Sequence, residues 1–159
     1  FYCRAAEIAL ELKMRAVLLT QVGLGINEPS IKVVGYAPHS LLFPRAAAII
    51  HHGGVGTLGQ ALRSGKPQLI VPFMADQFDH AKRLERLGIG ASASPKRFMK
   101  SGAALLREML SDREQAKRAE PIARTVRAEN GADVAANRIM QILAADRIGG
   151  ARMPPLRKS

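Results

Sequence analysis

Short aliphatic runs alternate with amphipathic stretches along the first part of the chain. Four of these runs are typical of buried strands, because each is short, rich in aliphatic side chains and bounded by glycine, proline or polar residues. They lie at residues 16–19, 31–34, 46–50 and 68–71. Residues 89–91 indicate a further short strand at an edge of the sheet.

Apolar residues recur at helical spacing between and after these runs. The predicted helices lie at residues 1–13, 40–45, 58–64, 80–87, 101–110, 112–129 and 132–145. Gly65 and Gly88 follow two of these helices as ending signals, and Pro121 predicts a kink or a break inside another. Residues 21–30 are rich in Gly, Asn and Pro and are predicted to form a loop.

The alternation of strands and helices predicts an α/β fold, a Rossmann-like doubly wound parallel sheet with helices on both faces. Such sheets bind ligands beyond the carboxyl ends of their strands. Three loops are expected to meet at that edge, at residues 35–40, 51–57 and 72–79. Each contains polar or aromatic groups suited to a nucleotide-like ligand.

Composition narrows the class of protein. The chain has 159 residues, of which 47% are hydrophobic and 4% aromatic. These values are typical of one soluble globular domain with an aliphatic core. A single cysteine, Cys3, rules out a disulfide within the chain, and no metal-binding cluster is evident. No signal peptide or membrane-spanning run is evident either, so a cytoplasmic location is expected.

The formal net charge of +11 has several interpretations. It fits an arginine-rich soluble surface, an anionic ligand or an anionic membrane surface. Nucleic acid is the fourth interpretation, and it is disfavoured because no aromatic residues are interleaved with the basic ones.

The glycine-rich segment at residues 51–57, HHGGVGT, is the strongest candidate for ligand binding. A buried strand that runs into glycines and then opens a helix is a phosphate-binding arrangement, because backbone N–H groups and the helix N-terminus favour an anion. His52 and Thr57 can add side-chain donors. His51 is interpreted as a structural histidine. A turn without function remains the competing interpretation of this segment.

Other polar groups lie in the neighbouring loops. Tyr36 can stack on a base, or it is a partly buried tyrosine at a strand end. Asp76 and Gln77 suit sugar hydroxyls, and the alternative for Asp76 is a helix cap. Gln60 can reach a ribose hydroxyl, or it is an exposed helical side chain. No P-loop and no nicotinamide-binding glycine motif is present.

Three motifs together resemble a known family. The sequences YAPH at residues 36–39, HGGVGT at residues 52–57 and PFMADQ at residues 72–77 occur in this order. They resemble the donor-binding signature of family 1 glycosyltransferases, above all the sterol glucosyltransferases and the glycosyltransferases of macrolide and glycopeptide antibiotic synthesis. The resemblance is strong over residues 33–91.

This resemblance implies a GT-B fold, in which two Rossmann-like domains face each other across a cleft. Residues 1–145 look like the C-terminal, nucleotide-sugar-binding domain without its first strand, and residues 146–159 are expected to form a flexible basic tail. The N-terminal domain of the family binds the acceptor and supplies the catalytic base. No catalytic residue is therefore expected in this chain, which is expected to be inactive alone.

The resemblance also assigns roles to residues that match the motifs. Nucleotide binding is assigned to Tyr36, to His39 and to Gln60, although plant relatives have a glutamate at the last of these positions. The diphosphate is assigned to His52, Gly54, Gly56 and Thr57. The hydroxyls of the donor sugar are assigned to Asp76 and Gln77.

The implied reaction is an inverting, metal-independent transfer of a hexose from a UDP- or dTDP-sugar to a hydroxyl of a sterol-like lipid or a natural product. No cofactor and no nucleic acid partner are expected, and peripheral contact with a membrane is a further expectation. An alternative is a non-catalytic module that docks on a partner or an anionic membrane through its basic helical half. A third hypothesis is a natural subunit whose acceptor domain is a separate polypeptide.

Overall fold

The computed structural model describes residues 1–147 of the chain, with side chains described through residue 144. The chain divides into two compact units, Phe1–Val126 and Arg127–Ser159. The strands are β1 (Ala16–Leu19), β2 (Ile31–Val34), β3 (Ile49–His51), β4 (Gln68–Ile70) and β5 (Gly90–Ser92). The helices are α1 (Tyr2–Glu11), α2 (His39–Leu42) with a 3-10 turn (Phe43–Arg45), α3 (Val55–Ser64), α4 (Gln77–Arg86), α5 (Pro95–Ser111), α6 (Arg113–Ala128) and α7 (Gly131–Arg147).

All strand pairs among the described residues are parallel. β1 pairs with β2, with Ala16 opposite Ile31. A second sheet has the order β3-β4-β5, and Leu69 at its centre lies opposite Ile50 and Ala91. The predicted α/β class with parallel strands is confirmed, with the strands divided between two sheets.

One buried cluster lies in the first unit and includes residues from both sheets. Ile8 of α1, Leu18 of β1, Leu69 of β4 and Phe98 of α5 belong to it. Phe98 and Leu69 are 1% and 0% exposed. Burial of aliphatic side chains is the main stabilising contribution in such a core. The aliphatic runs that predict the strands also supply residues to this buried cluster.

Two helices begin earlier than predicted. α3 begins at Val55 rather than at residue 58, because Gly54 adopts an extended conformation as its N-cap residue. Gly56 and Thr57 therefore lie in the first turn of a helix and not in a loop. α4 begins at Gln77 rather than at residue 80, with Asp76 as the N-cap residue.

The C-terminal helices also differ from the predicted bounds. α5 begins at Pro95, and α6 continues through Pro121, where a kink or break is predicted. α7 extends to Arg147, so the first two residues of the predicted tail belong to a helix. The rest of that tail, residues 148–159, lies outside the described residues.

The start of α5 provides a test of local stability. The Ser94 hydroxyl accepts a hydrogen bond from the Arg97 N–H at 3.2 Å, as an N-cap does. We expect Ser94→Ala to lower the free energy of unfolding by about 1 kcal/mol, because one N–H of the first turn then loses its partner. Chemical denaturation measures this change. Ser94→Asp should retain the cap, and equal losses in both variants would contradict this role.

Candidate functional site

The glycine turn, residues 52–54, joins β3 to α3 beyond the carboxyl end of the strand. Gly53 is buried and has a φ of +92°, a conformation that L side chains rarely adopt. Gly54, the N-cap residue of α3, has no side chain to accept a hydrogen bond from the first turn of the helix. The N–H groups of that turn are therefore available to another acceptor. Together with the helix dipole, these groups favour an anionic ligand.

His51, the last residue of β3, forms a hydrogen bond with the glycine turn. Its side chain is 6% exposed. Nδ1 accepts a hydrogen bond from the Gly53 N–H at 3.1 Å, so Nε2 donates to the Gln68 Oε1, also at 3.1 Å. Burial lowers the pKa of His51 to about 4, so the ring is neutral at neutral pH. This arrangement agrees with the structural interpretation of His51.

His52, the next residue, is exposed to solvent. Its ring lies so close to Gly54 that a Cβ placed on Gly54 would be 2.5 Å from His52 Nε2. The imidazole is exposed and stands beside the N-terminus of α3. A side-chain donor and the first-turn N–H groups of one helix are thus available to the same anion.

The residues predicted to bind the nucleotide line one cavity of about 240 Å³. Tyr36, His39 and Gln60 all contribute to its walls, with Ala37 and Ser40. Tyr36 is 81% exposed, so the alternative of a partly buried tyrosine is wrong. The His39 ring stacks on Phe43 with centroids 4.4 Å apart, which fixes its plane. This cavity connects the loop after β2 to helix α3.

Asp76 and Gln77 lie at the start of α4, beyond β4. Asp76 occupies the N-cap position of α4, as the capping alternative expects, but its carboxylate is 61% exposed and makes no cap hydrogen bond. Gln77 uses its Oε1 to accept from the N–H groups of Phe73 and Met74, at 2.8 and 3.2 Å. Within residues 1–147 its amide nitrogen makes no hydrogen bond, and the Asp76 carboxylate is exposed to solvent.

His80 is a residue of this site that the sequence analysis does not identify. Its Nδ1 donates to the Gly53 carbonyl at 2.7 Å. The same nitrogen lies 3.7 Å from the Oδ2 of Asp76, the N-cap residue of α4 four positions earlier. The spacing of Asp76 and His80 is the signal that could identify this residue, provided that α4 is known to begin at Gln77.

Among residues 1–147, no group of three or more His, Cys, Asp and Glu side chains is arranged to hold a metal ion. No helix in that part of the chain has the length and apolar character needed to cross a bilayer.

The sequence is similar to that of known glycosyltransferases. The model of the family described as erythromycin biosynthesis protein CIII-like, C-terminal domain, matches residues 6–145. A sterol 3-beta-glucosyltransferase of Neurospora crassa is 42% identical over 115 residues, which cover 72% of this chain and 7% of that protein. The chain thus spans a small part of the curated relative that it matches.

Solved structures of glycosyltransferases are also similar to this chain in fold. The structure of the glycotransferase of kitacinnamycin is 27% identical, with a TM-score of 0.76, and the match covers 88% of this chain and 38% of that one. Glycosyltransferase VinC in complex with dTDP is also 27% identical, with a TM-score of 0.70 over 79% of this chain and 33% of that one. The predicted resemblance to sterol and antibiotic glycosyltransferases is therefore confirmed.

Proposed function

This chain belongs to the family of erythromycin biosynthesis protein CIII-like C-terminal domains, and we propose that it is the nucleotide-sugar-binding domain of a glycosyltransferase. The strongest support for this proposal is that the three loops expected to bind the ligand, at residues 35–40, 51–57 and 72–79, are physically connected. Gln60 of α3 shares a cavity with Tyr36, α3 begins at the glycine turn, and His80 joins that turn to the start of α4.

The order of these groups fits a nucleotide sugar. The base and ribose would occupy the cavity of Tyr36, His39 and Gln60. The diphosphate would lie at the N-terminus of α3, with His52 and the N–H groups of the first turn as donors. The donor sugar would then meet Asp76 and Gln77, whose acceptor oxygens and amide donor suit hydroxyl groups.

The chemistry of transfer follows from this placement. When the bond between the anomeric carbon and the diphosphate breaks, negative charge develops on the leaving group. His52 and the α3 N-terminus would stabilise that charge where it develops. These protein groups supply the positive potential themselves, so we propose a metal-independent reaction. An inverting transfer also needs a base to deprotonate the acceptor hydroxyl, and we propose that an acceptor-binding domain supplies it.

We propose a UDP- or dTDP-hexose as donor and a hydroxyl of a sterol-like lipid or a natural product as acceptor. Support for these classes comes from the sterol 3-beta-glucosyltransferase relative and from the relative solved with dTDP. Contact with a membrane would be peripheral in this proposal.

His52→Ala tests the diphosphate part of the proposal. We expect calorimetric titration of the chain to show binding of UDP or dTDP, and the variant to bind the better of the two about tenfold more weakly. Binding of the matching nucleoside, uridine or thymidine, should not change, because in this proposal His52 contacts only the phosphates. His52→Gln, which keeps an N–H donor, should lose less affinity.

The unaltered chain gives the decisive control. If a folded sample binds neither UDP nor dTDP at millimolar concentration, the proposed function is wrong. If His52→Ala weakens the binding of uridine or thymidine as much as it weakens the binding of the diphosphate, His52 does not contact the phosphates.

A further inference from the structure

Gly53 is hydrogen-bonded on both sides by histidines from different elements. Its N–H donates to Nδ1 of His51, at the end of β3, at 3.1 Å. Its carbonyl accepts from Nδ1 of His80, on α4, at 2.7 Å. We call this arrangement of His51, Gly53 and His80 the Gly53 clamp. The clamp fixes the peptide groups on both sides of the residue that turns the chain into α3.

Each histidine is itself held in place. His51 is buried and its other ring nitrogen donates to Gln68 in the neighbouring strand β4. The His80 side chain is 20% exposed and its Nδ1 also lies 3.7 Å from the Asp76 carboxylate. Since neither ring can rotate without losing a partner, the orientation of Gly53 is determined by β3, β4 and α4 together.

The space around Gly53 leaves little freedom for another turn geometry. A Cβ at this position would be 2.9 Å from the Ile70 Cγ2 and 3.4 Å from the Gln77 carbonyl oxygen. A glycine turn that is not held would have to be ordered when a ligand binds, and that ordering lowers affinity. A turn that is fixed beforehand avoids this loss.

We propose that His51 and His80 are positioning residues that set the glycine turn for a diphosphate before the ligand arrives. This inference rests on the proposed function, because it takes a nucleoside diphosphate as the ligand. Neither histidine needs to touch the ligand. They act through the peptide groups of Gly53, which place Gly54 and the first turn of α3.

Two substitutions of His80 separate positioning from general stability. His80→Asn keeps an N–H donor close to the position of Nδ1, whereas His80→Leu keeps bulk and removes the donor. We expect His80→Leu to bind UDP or dTDP about tenfold more weakly, with unchanged binding of uridine or thymidine, and His80→Asn to retain most of the affinity. Asp79→Asn, on the same helix and exposed, is the matched control and should bind like the unaltered chain.

Ring ¹⁵N NMR of the unaltered chain provides a test that needs no variant. The clamp requires Nδ1 of His51 without a proton and Nδ1 of His80 with one at neutral pH. The opposite protonation at either ring would overturn the inference, even if His80→Leu does not fold.

The binding outcomes distinguish this inference from the proposed function. Equal affinity of all three His80 forms for the diphosphate would overturn the inference alone, and so would an equal loss of nucleoside and diphosphate binding in His80→Leu. A folded unaltered chain that binds no nucleoside diphosphate would overturn the proposed function and the inference with it.

Discussion

Gly53→Ala is expected to lower the free energy of unfolding by about 2–5 kcal/mol and to remove nucleoside diphosphate binding. Two costs add in this variant. A non-glycine residue at a φ of +92° is strained by about 1–2 kcal/mol. The new Cβ would also lie 2.9 Å from the Ile70 side chain, and relieving such an overlap in a packed interior costs about 1–3 kcal/mol. Because Ile70 is fully buried in β4, the turn has to move instead, which displaces the N-terminus of α3.

Gly59→Ala is the matched control for this prediction. Gly59 lies within α3, is not among the glycines with a positive φ, and a Cβ there would meet no atom within 4 Å apart from the local helix backbone. Alanine at this helical position should therefore raise stability by about 0.4–1 kcal/mol. Chemical denaturation and titration with UDP or dTDP measure both variants. A Gly53→Ala variant as stable as the unaltered chain would show that the turn is not constrained as described.

We expect the free energy of unfolding to depend on pH because His51 is buried. An unfolded histidine takes up its proton near pH 6.5, whereas burial lowers the pKa of folded His51 to about 4. Between these values the unfolded state binds more protons, so stability falls as the pH is lowered through this range. His51 contributes nothing to this change above pH 6.5. It should account for a loss of about 3 kcal/mol by pH 4, because one pKa unit corresponds to about 1.4 kcal/mol.

The control is a variant without a titrating group at this position. His51→Asn keeps an oxygen acceptor close to the Gly53 N–H and cannot take up a proton. The variant should be less stable at pH 7, since it loses the contact with Gln68, but its stability should fall less steeply between pH 6.5 and pH 4. Identical slopes for both proteins, measured by urea denaturation across this range, would refute the assignment of the pH effect to His51.

The strands and the class of fold were predictable because an aliphatic run such as residues 68–71 is buried by the same hydrophobicity that identifies it. The division of the strands into two sheets was not predictable, because it depends on which strand edges meet in space. Tyr36 was ambiguous for a similar reason, since its 81% exposure depends on neighbours that are distant in sequence.

Individual residues of the candidate site could be predicted only where a sequence motif contains them. The start of α3 was misplaced because Gly54 and Gly56 are compatible with both loop and helix, and the sequence does not say which conformation each adopts. A late start was also predicted for α4, which placed residues 77–79 in a loop. The helical spacing between Asp76 and His80 was thereby hidden, and with it the hydrogen bond of His80 to Gly53.

The hydrogen bonds that His51 makes to Gly53 and Gln68 join groups without net charge. Dissolved salt screens interactions between charges and has little effect on a buried hydrogen bond between neutral groups. In the proposed site, salt would therefore act on the approach of a charged diphosphate to the N-terminus of α3, while the His51 side of the turn keeps its shape. Binding of the anion and the shape of the turn that receives it would thus respond differently to ionic strength.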